Sequence, residues 1–342
     1  MMHVLNVYVF VVASAVFFLS CCMTKLFRDY AIQHDIVDTP NERSSHTIPV
    51  PRGGGVVFVV VFLTLLWFVP STLDHLALLM VFSAGFLVAL VGFLDDKYTL
   101  PFYWRLVAQF FSVAMVLYGL GGAPVIELGI YVLNANWMLD VFAALALMWL
   151  LNAYNFMDGI DGLAAMEAIF VCLGAVVLYY CCGFLNLIVL PLLLGSVVGG
   201  FLYWNVPTAR IFMGDVGSGF LGLMLGVLAL QSALLKPVLL WSWLIFLSVF
   251  VVDATMTLLH RWLRGEKIHQ AHCSHAYQKA ARVFKNHMGV TLGVLVLNIL
   301  WLWPFAVWVG LGRIPGWLGF VVAYTPVVLL AEQFQSGRPD KI

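Results

Sequence analysis

The sequence predicts an all-α protein that crosses a membrane many times and forms a single domain over residues 1–342. Apolar residues make up 63% of the chain and charged residues only 10%, whereas about a quarter of the residues of a soluble domain are charged. The mean hydropathy is +0.99. Apolar runs recur almost end to end, and most approach the roughly 20 residues that a helix needs to span a bilayer. A soluble enzyme or binding module is therefore excluded.

Eleven apolar segments fit membrane-spanning helices. The second segment is short and the seventh follows the sixth after a single residue, so ten spans remain an alternative. The predicted segments are residues 4–25, 54–70, 76–94, 105–120, 137–152, 162–182, 184–204, 217–235, 238–259, 288–310 and 315–333.

The basic residues predict the orientation of these segments. All but two of the 17 lysines and arginines fall in the loops of one side, and only Lys236 and Arg313 fall on the other. Cytoplasmic loops are enriched in lysine and arginine, so we expect a periplasmic N-terminus and a cytoplasmic C-terminus. On the outer side, residues 121–136 alternate in polarity and predict a small hairpin. No basic run indicates nucleic acid as a partner.

Four polar clusters interrupt the apolar chain, and all lie on the predicted cytoplasmic side. Carboxylates at the ends of membrane helices are costly unless they bind something. We therefore expect an active site on the cytoplasmic loops that holds a divalent metal ion. The clusters are Asp95 with Asp96; Asn152, Asn155, Asp158 and Asp161; Gly214 with Asp215; and His269, His272 and His275.

The first cluster, Asp95 and Asp96, ends the third predicted span. Neighbouring helical residues point about 100° apart, so we expect the two carboxylates to have separate partners. One would face a metal and the other a metal-bound water or a substrate phosphate. The helix dipole disfavours negative charge at a C-terminus, which predicts a nearby cation. Taken alone, the pair would also fit a solvated helix end.

The second cluster lies in NAYNFMDGIDGLAA, where amides and acids recur every three residues. Such residues project close together on a helix. Their oxygens suit a metal, and their hydrogen-bonding groups suit a nucleobase. An N-cap of the sixth span would explain Asp158 or Asp161 alone, but not all four residues.

The third cluster opens a helix, where unpaired N–H groups and the helix dipole attract anions. Asp215 would bind a metal, the Gly214 backbone would hold a phosphate, and Arg210 would neutralise it. Asp215 as an ordinary N-cap is the alternative. Gly53–Gly55, which follow Arg52 and open the second span, predict another anion site; close helix packing is the equal alternative there.

The fourth cluster lies in RWLRGEKIHQAHCSHAYQKAAR, the longest inner loop. Three histidines spaced at i, i+3 and i+6 suggest zinc, but a closed zinc site needs a fourth ligand. Imidazole and guanidinium groups that bind a diphosphate fit better, and a solvated loop is the remaining alternative. The role of Asp253, inside the ninth span, stays open between a structural hydrogen-bonding group and a partner of the site.

These motifs carry a resemblance that covers almost the whole chain. GFLDD, NAYNFMDGIDGL, RIFMGDVGSG and the histidine loop, in this order, resemble the polyprenyl-phosphate N-acetylhexosamine-1-phosphate transferases of glycosyltransferase family 4. That family includes phospho-N-acetylmuramoyl-pentapeptide transferase. The segments VDTPNERSSHTIPVPRGGG and HCSHAYQ are further similar to the branch that initiates bacterial O-antigen on its lipid carrier.

The resemblance implies Mg²⁺ or Mn²⁺, undecaprenyl phosphate as the acceptor, a UDP-N-acetylhexosamine as the donor, and UMP as the by-product. Expected donors are UDP-N-acetyl-fucosamine, UDP-N-acetyl-quinovosamine or UDP-N-acetyl-glucosamine. The protein would act in the bacterial inner membrane in O-antigen and lipopolysaccharide synthesis, and a homodimer is left open. The implied roles are catalysis for Asp95 and Asp96; metal binding for Asp215 and Asn155; nucleotide binding for Asn152, Asp158 and Asp161; and phosphate or sugar binding for Arg52, Arg210, His272, His275 and Gly214.

One departure from the family concerns the histidine loop. Many members have His-x-His-His where this chain has His275-Ala276-Tyr277-Gln278, so the roles of His269 and His272 stay open. The main alternative function is a polytopic transporter of lipid or solute. Transporters place ionisable groups near the middle of the membrane in related halves, whereas these acids cluster at one helix-end level and no repeat is evident.

Overall fold

The computed structural model describes residues 2–40, 48–69, 71–267 and 272–339, with side chains described from Phe10 onward. His269, considered above, lies outside the described residues. The description covers every other residue for which the sequence predicts a role in the site.

Within these ranges the chain forms fourteen α-helices joined by short loops and two small hairpins. The helices are α1 (Met2–Gln33), α2 (Gly55–Leu65), α3 (His75–Tyr98), α4 (Phe102–Leu120), α5 (Trp137–Phe156), α6 (Leu163–Cys182), α7 (Val189–Asn205), α8 (Asp215–Leu235), α9 (Val238–Phe246), α10 (Ser248–Leu263), α11 (Ala276–Phe284), α12 (His287–Leu297), α13 (Trp303–Gly310) and α14 (Gly316–Gln333). A 3₁₀ turn (Leu185–Leu187) precedes α7, and a π-helical segment (Asn298–Leu302) joins α12 to α13.

The all-α, multi-pass class predicted from the sequence is confirmed. In the described part of the chain, nine helices are long and apolar enough to cross a membrane. A tenth span is possible if α9 and α10, which are bent by 69° at their junction, count as one. The second predicted segment forms only the 11-residue helix α2. The described residues thus give nine spans or ten, where the sequence predicts eleven with ten as the alternative.

Helix α8 forms the centre of the bundle, between α3 and α5 and beneath α2. In its most apolar window 83% of the residues are buried, against 22% in the peripheral helices α1 and α14. Glycines let the backbones meet: a Cβ on Gly55 of α2 would lie 2.5 Å from the Cα of Gly217 on α8. Close approach without side chains increases dispersion contacts, which drive helix association in membranes.

The two ends of the bundle differ in character. At one end, the strands β3 (Ile126–Leu128) and β4 (Tyr131–Leu133) pair antiparallel between α4 and α5, which confirms the predicted hairpin. At the other end lie the C-termini of α3 and α5, the N-terminus of α8, and the hairpin of β1 (Val37–Asp38) with β2 (Val50–Pro51). The acids predicted to form a site therefore share one end of the helices.

Candidate active site

Asp96 on α3 caps the N-terminus of α8. The two helices approach closely at Gly92, where a Cβ would lie 2.7 Å from the backbone oxygen of Asp215. One turn later, the Asp96 carboxylate accepts hydrogen bonds from the backbone N–H groups of Asp215 (3.0 Å) and Val216 (3.2 Å). The α8 terminus thus holds a carboxylate of the chain itself, where the sequence predicts a phosphate.

Gly214 makes this cap possible. Its φ of +78° is costly for a residue with a side chain, and a Cβ there would collide with the Asp96 carboxylate. The sequence predicts that Gly214 approaches a phosphate, whereas the structure shows that it accommodates Asp96.

Two arginines bridge the three carboxylates. Arg52 Nη2 lies 2.8 Å from Asp96 Oδ1 and 2.9 Å from Asp215 Oδ1. Arg105 Nη1 lies 2.8 Å from Asp95 Oδ2 and 3.1 Å from Asp215 Oδ2. Asp95 and Asp96 therefore have different partners, as their angular separation predicts. The cation expected at this helix end is supplied by the two guanidinium groups.

The surroundings of Arg52 keep it charged. Burial acts to lower the pKa of Arg52, but the carboxylates of Asp96 and Asp215 outweigh burial, so the pKa is raised above its ordinary value. The backbone N–H of Arg52 donates to the carbonyl oxygen of Ile36 (3.2 Å), next to the β1–β2 hairpin. The hairpin thus fixes the position from which the side chain reaches α3 and α8.

The glycines after Arg52 serve packing. The backbone N–H of Gly54 donates to Phe212 O, and that of Gly55 donates to Met213 O, both at 2.9 Å. The N–H groups of Gly54 and Gly55 already donate within the protein. The prediction that Gly53–Gly55 bind an anion through their backbone N–H groups is therefore wrong for these two glycines. Close packing of α2 on α8, the alternative reading of these glycines, is what the structure shows.

The amide residues of α5 face two different neighbours. Asn152 and Gln109 on α4 form a reciprocal pair, with N–O distances of 2.8 and 3.3 Å, and Asn152 also donates to Met148 O. Asn155 Nδ2 donates to the Oγ of Ser218, one turn into α8, at 3.1 Å. Asn155 thus lies beside Asp215, whereas the hydrogen-bonding groups of Asn152 are used between helices.

The two acids of the α5–α6 loop also differ. Asp158 lines the main cavity, and it has no side-chain hydrogen bond or ion pair to another described residue. Burial raises the pKa of Asp158, and the negative charge of Asp215 raises it further. Asp161 is buried; its Oδ2 accepts the Ala209 N–H (3.0 Å) and lies 3.6 Å from His287 Nδ1. Asp158 is therefore the acid more available to a ligand.

A cavity of about 620 Å³ opens beside these residues. Small-molecule sites usually enclose about 300–1,000 Å³, so it is large enough for a nucleotide sugar. Asp215 and Asn155 also line a second pocket, of about 40 Å³, among α3, α4, α5 and α8. The polar residues lining the main cavity are Asp38, Arg52, Asn155, Asp158, Asp161, Asn205, Asp215, Ser218, Cys273, Gln278, Arg282, Lys285 and His287.

The histidine loop is anchored by Asp253 of α10, which settles the role that the sequence left open. Asp253 Oδ1 accepts the N–H of Ala276 (2.9 Å) and Oδ2 accepts that of Tyr277 (3.0 Å), so the carboxylate caps α11. Asp253 Oδ1 also accepts the hydroxyls of Thr257 and Ser336. Asp253 is therefore a structural hydrogen-bonding group that fixes the start of α11.

His272 and His275 lie outside the lining of the cavity. His275 is 2% exposed, with Nδ1 3.4 Å from Asp253 Oδ1, and its ring stacks between those of Phe156 and Tyr277. Burial, with the neighbouring His275, lowers the pKa of His272 to about 4. Neither histidine lines the cavity; Cys273, Gln278, Arg282 and Lys285 do. The sequence predicts that this loop places imidazole groups against the ligand. In the structure, its side chains in the cavity wall are instead those of Cys273, Gln278, Arg282 and Lys285.

Arg210 points away from the site. Its guanidinium donates to Tyr203 O (2.8 Å) and lies 4.4 Å from the centroid of the Trp204 ring. It is exposed and does not line the cavity. The predicted neutralisation of a phosphate by Arg210 is therefore unsupported by its position, and Arg52 and Arg105 are the arginines beside Asp215.

The sequence interpretation missed several residues of the site. Arg105 lies ten positions after Asp95 at the start of α4, and a basic residue beside an acidic helix end was the available signal. Gln278 lies on α11, whose strong separation of polar and apolar faces predicts one cavity-facing side, and Lys285 directly follows that helix. The contacts of Ser218 and His287 had no local signal.

Known proteins share these features. The family model described as "Glycosyl transferase family 4" matches residues 78–233, which run from α3 to α8 and include Asp95, Asp96, the asparagine motif and Asp215. A relative from Bacillus subtilis (strain 168) is 30% identical over 292 residues, covering 81% of this chain and 78% of the relative. The chain belongs to this family. The Bacillus subtilis relative bears the name "Probable undecaprenyl-phosphate N-acetylglucosaminyl 1-phosphate transferase".

Two other relatives show the breadth of the family. The decaprenyl-phosphate N-acetylglucosaminephosphotransferase of Mycobacterium tuberculosis (strain CDC 1551 / Oshkosh) is 29% identical over 306 residues, covering 77% of this chain and 72% of the relative. The phospho-N-acetylmuramoyl-pentapeptide-transferase of Borreliella burgdorferi (strain ZS7) is 30% identical over 263 residues, covering 65% of this chain and 70% of the relative. The predicted membership is confirmed.

The donor set of this family member suits a hard cation such as Mg²⁺, which prefers oxygen ligands. Asp215, Asn155 and Asp158, whose side chains carry oxygens, all line the cavity. No group of three histidine, cysteine, aspartate or glutamate side chains converges on one ion position among residues 2–40, 48–69, 71–267 and 272–339. Mg²⁺ is commonly held by one or two carboxylates plus substrate phosphates, so the residues fit an ion that binds together with its substrate.

Proposed function

We propose that this protein transfers an N-acetylhexosamine 1-phosphate from a UDP-sugar to undecaprenyl phosphate, releasing UMP. The observation that carries the proposal is the position of Asp215 and Asn155, which line both the polar cavity and the small pocket among the membrane helices. A soluble donor and a membrane-embedded acceptor would meet at that boundary. The names of the relatives support this reaction class.

The cavity suits the donor. Its wall carries Arg282, Lys285 and His287 for the diphosphate, and Asp158 for the nucleotide. Positively charged side chains bind phosphates through charge-assisted hydrogen bonds. UDP-N-acetyl-glucosamine, UDP-N-acetyl-fucosamine and UDP-N-acetyl-quinovosamine are the proposed donors, in O-antigen and lipopolysaccharide synthesis.

The chemistry follows from charge. An oxygen of the acceptor phosphate attacks the β-phosphorus of the donor, the bond to the UMP oxygen breaks, and UMP leaves with the bonding electrons. A phosphate monoester is largely dianionic at neutral pH because its second pKa is near 6, so no strong base is needed. Asp95, held by Arg105, would accept a remaining proton, and Arg52 and Arg105 would orient the anions.

A divalent ion, Mg²⁺ or Mn²⁺, would be held by Asp215 with Asn155. When bound, such an ion neutralises charge that develops on the transferred phosphoryl group. Its positive charge would also favour the ionised form of Asp158, whose pKa is raised by burial and by the charge of Asp215.

We further propose that the site faces the cytoplasm across a bacterial inner membrane. The support is the excess of lysine and arginine at the site end of the predicted topology. A reporter enzyme that is active only in the cytoplasm, fused after Ile342, would be active under this orientation. An inactive C-terminal fusion together with an active fusion at the N-terminus would reverse it.

The deciding experiment measures UMP release by purified protein with undecaprenyl phosphate and a panel of UDP-N-acetylhexosamines. We expect release that stops when the divalent ion is chelated, returns with added Mg²⁺, and is lost in Asp215→Ala. Asp140→Ala is the matched control, because Asp140 accepts an N–H from Ala123 at the opposite end of the bundle. Flux of lipid or solute without UMP release would support the transporter instead.

A further inference from the structure

A carboxyl group and an amide meet inside the helix bundle, away from the ion-paired acids. Glu167 lies on α6 and Asn298 begins the π-helical segment, and each is 1% exposed. Asn298 Nδ2 donates to Glu167 Oε2 at 2.5 Å. π-Helical segments within α-helices frequently mark functional positions.

Each partner of this pair has one oxygen left over. Glu167 Oε1 and Asn298 Oδ1 are buried, and neither has a hydrogen-bond partner among the described residues. If Glu167 were ionised, both oxygens would be acceptors without a donor. An unsatisfied buried polar group is costly, and a buried charge without a counter-charge costs far more.

Among the described residues, no basic group contacts Glu167. Tyr154 of α5 interacts with it electrostatically, and the Tyr154 hydroxyl, which donates to Ala164 O, is uncharged at neutral pH. Asp161 and His287 belong to the cavity end of the same helices and contact each other at 3.6 Å. An anion at Glu167 would thus lack the pairing that buried carboxylates in membrane proteins show.

One proton would supply the donor that both unpartnered oxygens lack. On Glu167 Oε1 it creates an O–H donor, and Asn298 Oδ1 is the acceptor that the same pair already offers. A carboxylic acid and a carboxamide then donate to each other, so the pair is neutral and complete. A protonated Glu167 therefore accounts for both oxygens that have no other hydrogen-bond partner among the described residues.

The helix that carries Asn298 also holds the cavity wall. Thr291 Oγ1, on α12, donates to the carbonyl oxygen of Asp161 (3.3 Å), and His287 at the start of α12 lies beside the Asp161 carboxylate. Residues 287, 291 and 298 share one helix face because their spacings are four and seven. This face contacts the α5–α6 loop at one end and Glu167 at the other.

We propose that Glu167 carries a proton and that its neutral pair with Asn298 is a positioning contact, which fixes α12 against α6 and thereby sets the cavity wall formed by Asp161 and His287. The protonation stands on the pair's own geometry. Only the positioning part rests on the proposed transferase function.

Infrared spectroscopy of the detergent-solubilised full chain tests the protonation. We expect Glu167 to contribute to the C=O stretching band of protonated carboxylic acids at neutral pH, so Glu167→Gln should reduce that band. Glu127→Gln, which changes an exposed carboxylate on the β3–β4 hairpin, should leave that band intact. A band lost only from the ionised-carboxylate region in Glu167→Gln would overturn the proposal.

Substitutions test the positioning role. A glutamine reproduces the neutral acid because its side chain both donates and accepts hydrogen bonds. Glu167→Gln should therefore keep the wild-type Tm. UMP release should stay within about twofold of wild type, a much smaller change in the activation barrier than a tenfold loss would require. Glu167→Ala and Asn298→Leu each leave one partner unsatisfied; both should lower the Tm and raise the KM for the UDP-sugar more than they change kcat. Equal damage by Glu167→Gln and Glu167→Ala would show that the charge is needed and overturn the proposal.

The readouts separate the two proposals. If wild-type protein releases no UMP, the transferase proposal fails, while the infrared band and the Tm still decide the protonation. A Tm that depends on added Na⁺ or K⁺ in wild type, but not in Glu167→Gln, would place a cation between the two oxygens and overturn the proton.

Discussion

The Asp96 carboxylate accepts a hydrogen bond from the backbone N–H of Asp215, 119 positions later in the chain. Arg52 contacts the side chains of both residues. The carboxylate proposed to bind a metal is therefore oriented by a second carboxylate, which is itself held by a helix N-terminus. Negative charge is stabilised there by the helix dipole and by unpaired N–H groups.

Asp96→Asn should separate capping from activity. The amide keeps one acceptor oxygen and loses the Arg52 ion pair, so we expect a stability loss on the order of 1 kcal/mol. UMP release should fall at least about tenfold, which corresponds to about 1.4 kcal/mol in the barrier. Thermal unfolding and turnover measure the two effects.

The control for Asp96 is another capping aspartate. Asp74 accepts the N–H of Ala77 (2.8 Å) at the start of α3, at the end of that helix remote from Asp96. Asp74→Ala, which removes this cap, should lower the Tm and keep normal turnover. Loss of turnover in both variants, in proportion to their stability, would reduce Asp96 to a purely structural cap.

Gly214→Ala should damage the site beyond backbone strain. The alanine Cβ would meet the Asp96 carboxylate at a φ of +78°. Gly183→Ala is the control for a positive φ, because Gly183 has a φ of +80° and open space where a Cβ would lie. Gly183→Ala should lose about 1–2 kcal/mol through left-handed backbone strain. Gly214→Ala should lose about 1–3 kcal/mol, because its ψ of 170° belongs to a region essentially restricted to glycine, and only this variant should lose turnover. Equal turnover would mean that the cap tolerates displacement.

Arg105→Gln should reduce activity more than stability. The Arg105 side chain is 38% exposed, and exposed ion pairs contribute only about 0–1 kcal/mol, so the Tm should change little. Without its guanidinium, the carboxylates of Asp95 and Asp215 repel each other, and we expect a fall in kcat. Arg313→Gln, at an exposed position outside the cavity, should keep kcat; a similar fall in both would point to a general effect of charge.

His272 predicts a defined pH dependence of stability. Burial, with the neighbouring His275, lowers its pKa from 6.5 to about 4. Between these values the unfolded chain binds a proton that the folded protein does not, so stability should fall as the pH falls from 6.5 towards 4. His272→Gln should reduce the dependence of the Tm on pH between pH 4 and 6.5. His34→Gln, at an exposed position, should leave that dependence unchanged. An unchanged slope in His272→Gln would assign the pH dependence to other groups.

Local sequence patterns predict several features of this site. The 100° step of a helix predicts that Asp95 and Asp96 face different partners, and they do. The spacing of the asparagine motif brings Asn155 and Asp158 to one cavity, but Asn152 instead pairs with Gln109 of α4. A period along one helix cannot specify which neighbouring helix covers which face, because that depends on contacts between distant segments.

The sequence by itself determined the membrane class, the family and the end of the bundle where the acids gather, because composition and short motifs depend only on neighbours along the chain. The tertiary structure decided which groups the carboxylates contact. It places Asp96 on the α8 terminus, Arg105 between Asp95 and Asp215, and Asp253 under the histidine loop. Each of these contacts joins different helices or loops through packing, so the charge that compensates a carboxylate is known only when the helices are assembled.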